Sequence, residues 1–184
     1  GGINTATEEA RQAQEALQAM LLATPNLPDA RVPAGETEED NQEVLTWGTP
    51  KAFDFQPLDH VDIGELSGQI NAAMAGKITG SRFTVMSGAV ARLHRALVQF
   101  MLNEHTAVHG YTEVYVPYMV NRESLVGTGQ LPKFEEDLFH IQGDQDYCLI
   151  PTAEVPVTNM ARDRIFEDQE FGERGMRYVA HTPC

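Results

Sequence analysis

Cysteine is scarce in this chain: Cys148 and Cys184 are the only two among 184 residues. Two thiols give no disulfide framework and fit a reducing, cytoplasmic setting. Basic residues are also short, with 13 Lys and Arg against 27 Asp and Glu, a formal net charge of -14. Such a balance argues against a chain-wide nucleic-acid surface, because phosphate contacts are made mainly by Lys and Arg. The acid clusters at Glu36-Thr37-Glu38-Glu39-Asp40 and Glu135-Glu136-Asp137 read as solvated surface. No apolar run is long enough to span a bilayer. The first residues, Gly1-Gly2-Ile3-Asn4, offer neither the basic nor the apolar region of a secretory signal. Missing too are a Walker loop, GxGxxG, HExxH and paired Cys-x-x-Cys. What remains is an ordinary globular composition, 42% hydrophobic and 22% charged, with length for one domain and an appendage.

The pattern along the chain divides it in three. Residues 5–22 predict a helix, with Thr5 and Glu8 at capping-box spacing and Ala6, Ala10, Ala13, Leu17 and Met20 forming a heptad seam. The helix should end before Pro25. Residues 25–57 are acidic and broken by prolines, and read as a linker that wraps onto the following domain, anchored by Val44, Leu45, Trp47, Phe53 and Phe55. The alternation at 53–55 suggests a short extended segment. From 58 to 184 helices and strands mix without βαβ alternation. One or two short helices are expected over 61–76, broken near Gly64 and Gly68, then a strand over 82–86. A long helix over 89–109 carries Leu93, Leu97, Phe100, Met101 and Val108, and Gly110 takes the left-handed cap position. Strands are expected over 111–116, 147–150 and 177–181, and helices over 122–126, 132–138 and 153–162. This is an α+β pattern: an antiparallel or mixed sheet with helices packed on it.

The informative site is Leu149-Ile150-Pro151-Thr152-Ala153-Glu154. A buried strand ends, a proline stiffens the turn, and a hydroxyl and a carboxylate follow two residues apart. Such groups at a strand's end suit recognition of a small polar ligand, Glu154 pairing with an ammonium and Thr152 accepting one of its hydrogens. The competing reading is plain helix capping by Thr152, with Glu154 favoured in the first turn by the helix dipole. The two roles can coexist. His105 and His109 share a helix face at metal-ligand spacing, but no third ligand is evident, so no metal site is assigned. Gly127-Thr128-Gly129 is too short to cradle a phosphate and reads as a turn.

Ordered blocks carry a resemblance. Pro25-Asn26-Leu27-Pro28, Asp40-Asn41, Trp47-Gly48-Thr49-Pro50 and Phe53-Asp54-Phe55 are followed by Gly80-Ser81-Arg82-Phe83 and His109-Gly110-Tyr111 with Pro117. Gly127 to Phe134, Thr152-Ala153-Glu154-Val155-Pro156 and Thr182-Pro183-Cys184 complete the series. Together they resemble bacterial seryl-tRNA synthetases from residue 25 onward, while residues 1–24 are similar to the end of that family's coiled-coil, tRNA-binding arm. The resemblance implies a class II catalytic domain over 58–184, an antiparallel sheet flanked by helices and incomplete here. It implies ATP- and Mg²⁺-dependent activation of L-serine and transfer to tRNA(Ser), and in many members to tRNA(Sec), by a cytoplasmic homodimer. Gly110, Tyr111 and Pro117 would lie in motif 1, the dimer interface. Thr152, Ala153 and Glu154 would form the serine-binding loop. Thr182-Pro183-Cys184 would open motif 2, whose Phe-Arg-x-Glu continuation is not in this sequence. These 184 residues alone are therefore expected to be inactive, with no catalytic residue of their own. Two other readings stand beside this one. One is a non-catalytic relative that keeps dimerisation and amino-acid binding. The other is a ligase charging a carrier protein, whose cysteine-ligated zinc is not expected here.

Overall fold

A computed structural model describes residues 2–172 and 175–184; Gly1, Glu173 and Arg174, which fall inside the expected segments 1–24 and 58–184, lie outside the described residues. The chain forms two units, Gly1–Pro57 and Leu58–Cys184.

In the first unit, helix α1 covers Gly2–Ala23. It starts three residues before Thr5, so Thr5 lies inside the helix and not at its cap. Glu8 instead binds along the helix, accepting from Arg11 at 2.5 Å and Gln12 at 2.9 Å. Arg11 also pairs with Glu15, giving the three-and-four spacing that supports an isolated helical face. Thr24 closes the helix by donating its hydroxyl to the Met20 carbonyl at 2.7 Å. A 3-10 turn follows at Glu38–Asp40, where the Asp40 carboxylate accepts the amides of Glu36 and Thr37. Residues 53–55 are not a strand. They bend, and the Phe53 and Phe55 rings meet at 5.2 Å.

The second unit begins with α2 (His60–Ser67) and α3 (Ala72–Ile78). Asp59 caps α2 by accepting the Val61 and Asp62 amides, and Asn71 caps α3 by accepting that of Met74. Gly68, at φ 65, ends α2 as expected of a left-handed cap. Gly64 does not break the helix. It is buried within α2, where a Cβ would come within 2.8 Å of Ile70. The strand expected over 82–86 is reduced to one bridge, Ile70 to Met86. Arg82 stands at φ 70, which takes the backbone out of the extended region.

Helix α4 (Gly88–Asn103) continues as a π turn over Glu104–Val108 and stops at Gly110, whose φ is 69. Strand β1 (Thr112–Glu113) pairs in parallel with β5 (Tyr178–Val179). A three-stranded antiparallel sheet is ordered β2 (Met119–Asn121), β4 (Tyr147–Leu149), β3 (His140–Ile141), with Cys148 opposite both Val120 and His140. Short helices α5 (Arg122–Gly127), α6 (Glu154–Asn159) and α7 (Asp168–Phe171) complete the unit, with a 3-10 turn at Glu135–Asp137. Pro156 falls in the first turn of α6, where the amide it lacks has no helical partner to lose.

The core is small. Val120, Leu125, Leu131, Cys148, Ile150 and Val155 pack together, with Tyr118 and Leu138 against them. Leu125 and Val155 are fully buried, so α5 and α6 are held against the sheet by one side chain each. Leu125→Ala is expected to lower unfolding free energy by about 2–5 kcal/mol, the usual cost of a buried leucine with its cavity. Urea unfolding measures this, and an unchanged midpoint would show that the cluster is not the core.

Candidate functional site

The sheet delivers the Thr152–Glu154 turn. Strand β4 stays paired to its end: the Leu149 amide donates to Phe139 and the Ile150 amide to Tyr118, both at 2.9 Å. Pro151 then turns the chain into α6. The Thr152 hydroxyl accepts the Glu154 amide at 3.3 Å, and the Thr152 carbonyl accepts that of Val155 at 3.3 Å. The capping role thus exists, and it uses one lone pair of the hydroxyl, leaving its proton and second lone pair for another partner. Glu154 is the first residue of α6 and is exposed. Among the described residues no cation pairs with its carboxylate. Val155, the next residue, is fully buried, so the backbone beneath the carboxylate is anchored in the core.

Next to this turn lies a cavity of about 750 Å³. Pro151 forms one edge, and Thr182, Pro183 and Cys184 form another, so two blocks thirty residues apart in sequence share one wall. Phe83, Tyr118, His94 and His181 also line it, and sequence reasoning named none of them for a site. Thr152, Ala153 and Glu154 stand outside its lining. No Lys or Arg faces the cavity. Among the described residues no group of three His, Cys, Asp or Glu side chains could hold a metal ion. The described residues therefore do not form a site for ATP or Mg²⁺.

Gly110 and Tyr111 sit where the π turn hands the chain to β1. The Tyr111 amide donates to the His105 carbonyl at 3.0 Å. Its ring lies 5.3 Å from that of His105, with the Arg177 guanidinium 5.2 Å from its centre on a neighbouring strand end. Pro117 is exposed between β1 and β2. The apolar stripe of α4 is open to solvent, Leu93 at 58%, Leu97 at 49% and Phe100 at 62% exposure. His105 and His109 do share a face, their Nδ1 atoms 3.2 Å apart.

A charged cluster braces the β3–β4 hairpin. Arg122 forms a bidentate pair with Glu135, one contact at 2.6 Å, and reaches Asp146 at 3.5 Å. The Arg122 guanidinium holds the Glu135 carboxyl below the usual range. His140 extends the cluster, its Nδ1 lying 3.4 Å from the Cys148 sulfur. Burial pushes the Cys148 thiol up, whereas Cys184 is exposed.

Helices packed with a small antiparallel sheet, whose central strand runs into a hydroxyl–carboxylate turn, define an α+β core of the class II aminoacyl-tRNA synthetase type. The chain is homologous along its whole length to serine–tRNA ligases and corresponds to less than half of them. It is 56% identical over 186 aligned residues to the serine–tRNA ligase of Teredinibacter turnerae, covering 99% of this chain and 43% of that protein. It is 55% identical to that of Marinobacter nauticus, covering 97% and 42%. Among solved structures, seryl-tRNA synthetase from Pyrococcus horikoshii complexed with ATP matches with a TM-score of 0.80 and 28% identity, over 91% of this chain and 42% of that one. The cytoplasmic serine–tRNA ligase of Naegleria fowleri in complex with AMP matches with a TM-score of 0.71 and 26% identity, over 86% and 38%. No protein-family profile matches the chain.

Two outcomes are expected from the charged cluster and its neighbours. Because the Glu135 carboxyl is depressed in the fold, its contribution is present above the unfolded value and is lost as pH falls through the folded one. Melting temperature should drop on acidification below about pH 4.5, and Glu135→Gln should flatten that part of the profile. Thiol titration should label one cysteine rapidly, and Cys184→Ser should abolish that fast phase. Two equally fast thiols would contradict the burial of Cys148.

Proposed function

We propose that this chain is part of a serine–tRNA ligase that activates L-serine with ATP and Mg²⁺ and transfers it to tRNA(Ser), and also to tRNA(Sec). The observation that carries the reading is the identity of 52–56% to serine–tRNA ligases along the whole chain. In this reading the Glu154 carboxylate receives the substrate ammonium, and the free side of the Thr152 hydroxyl helps to hold it. Ala153 keeps the turn narrow between them. The exposed stripe of α4, with Gly110, Tyr111 and Pro117, faces a second copy in a homodimer. The cytoplasm is the site of action, in keeping with one buried and one exposed free thiol. The described helices include none long and apolar enough to cross a membrane.

The residues that grip the nucleotide belong to the remainder of the protein, since the cavity beside Pro151 presents no Lys or Arg to a phosphate. The 184 residues alone should give serine-dependent pyrophosphate exchange no higher than a matched Glu154→Ala chain. The net charge of -14 likewise supports tRNA binding through other regions.

Glu154→Ala in the full-length protein tests the site. A charge-assisted contact contributes about 1.5–3 kcal/mol, so serine-dependent exchange should fall roughly ten- to a hundredfold. Dimer mass in solution should stay the same. An exchange rate equal to that of the parent would remove Glu154 from the serine site. Tyr111→Ala should do the reverse, weakening the dimer first.

A further inference from the structure

We infer that Asn159 is a positioning residue for the amino-acid site: it locks the first turn of α6 onto α5 and so aims Glu154, without touching the ligand. The inference rests on the reading of Glu154 given above. Asn159 closes α6 at the end opposite Glu154. Its Nδ2 donates twice, to the Ser124 carbonyl in α5 at 2.8 Å and to the Val155 carbonyl at 2.8 Å. The first bond spans thirty-five residues of sequence. The second holds the peptide next to Glu154. One amide group therefore connects the residue following the carboxylate to a neighbouring helix.

The third polar atom sharpens the picture. Asn159 Oδ1 is buried and, among the described residues, has no hydrogen-bond partner. A buried acceptor left unpaired is costly, so a reversed amide would be preferred if geometry allowed it. It does not, because reversal would set the amide oxygen against two carbonyl oxygens. The orientation is fixed by the two bonds, and the orphan oxygen is the consequence.

That oxygen rests on Gly127. A Cβ at Gly127 would stand 2.9 Å from Oδ1, closer than side chains normally approach. Oδ1 is the tip of a side chain, yet it cannot swing aside without breaking both donor bonds. This gives Gly127-Thr128-Gly129 a role beyond turning the chain: Gly127 is the floor on which the clamp sits. Ser124 is itself fixed, its amide and hydroxyl both donating to Asn121 Oδ1 at 3.0 and 2.8 Å. The clamp thus has a rigid base, which precise placement of a binding group requires.

The test uses the full-length protein and steady-state pyrophosphate exchange. Asn159→Asp, which puts oxygen against the two carbonyls, and Asn159→Ala should raise KM for serine about tenfold, as a sub-ångström misplacement does, with KM for ATP within twofold. Gly127→Ala reads the same contact from the other side and should raise serine KM in the parent. In an Asn159→Ala background it should add little, since the atom it strikes is gone. Gly127→Ala also serves if Asn159 variants do not fold. Equal rises in the serine and ATP constants, or a serine KM unchanged in folded variants, would overturn the clamp, as would independent effects in the double variant. Glu154→Ala in the same assay separates the two readings. If it leaves serine KM unchanged, the site assignment itself fails. If it raises serine KM and the Asn159 variants do not, only the clamp fails.

Discussion

The burial of Val155 is the constraint on which the second unit turns. Its side chain is fully enclosed among Leu125, Cys148 and Ile150, and it follows directly after the exposed Glu154. A helix of six residues has little stability of its own, because nucleation costs are not repaid over so short a length. The helix exists because its first turn is pinned in the core. Strand β4 brings the chain to that point with its hydrogen bonds made on both edges, to β2 and β3. Rigidity on one side of the turn and burial on the other leave the carboxylate in solvent on a backbone that has nowhere to move.

Charge is distributed to match. The acidic excess lies mostly on solvated surface, while the few cations are used as braces. Arg122 serves Glu135 and Asp146, Arg177 covers Tyr111, and Arg164 lies over Phe166 at 4.4 Å while reaching Glu170 at 3.2 Å. These pairs are partly exposed and individually weak. Their common feature is that each joins segments lacking a substantial core between them. A chain with so few basic residues spends those it has on holding loops.

Local signals were legible where one mechanism dominated. The stripe on α4 and Gly110 after it marked a helix and its end, and the strand–proline–hydroxyl order marked the turn at Thr152. Signals misled where tertiary or extended structure overrode them. Thr5 and Glu8 have capping spacing, but α1 extends back to Gly2 and Glu8 turns to Arg11. Residues 82–86 have strand composition, but Arg82 adopts a positive φ and Met86 alone finds a partner. Gly64 looked like a breaker and is a contact point. Asn159 was invisible in the sequence, since its partner Ser124 is brought near only by the sheet. Family resemblance was carried by the order of motifs, which is why it survived an acidity that pointed away from RNA.

The π turn at Glu104–Val108 has a consequence for how this helix can change over time. A π turn is the form a helix takes when it holds one residue more than its hydrogen-bond ladder needs. The surplus residue rotates everything after it about the axis, so Val108 leaves the line drawn by Leu93, Leu97 and Phe100, and Tyr111 arrives beneath Arg177. Single-residue insertions and deletions are ruinous in most packed helices. Here the lineage has a place where one such event is already accommodated, and its reversal would re-aim the entry to β1 without altering the stripe before it.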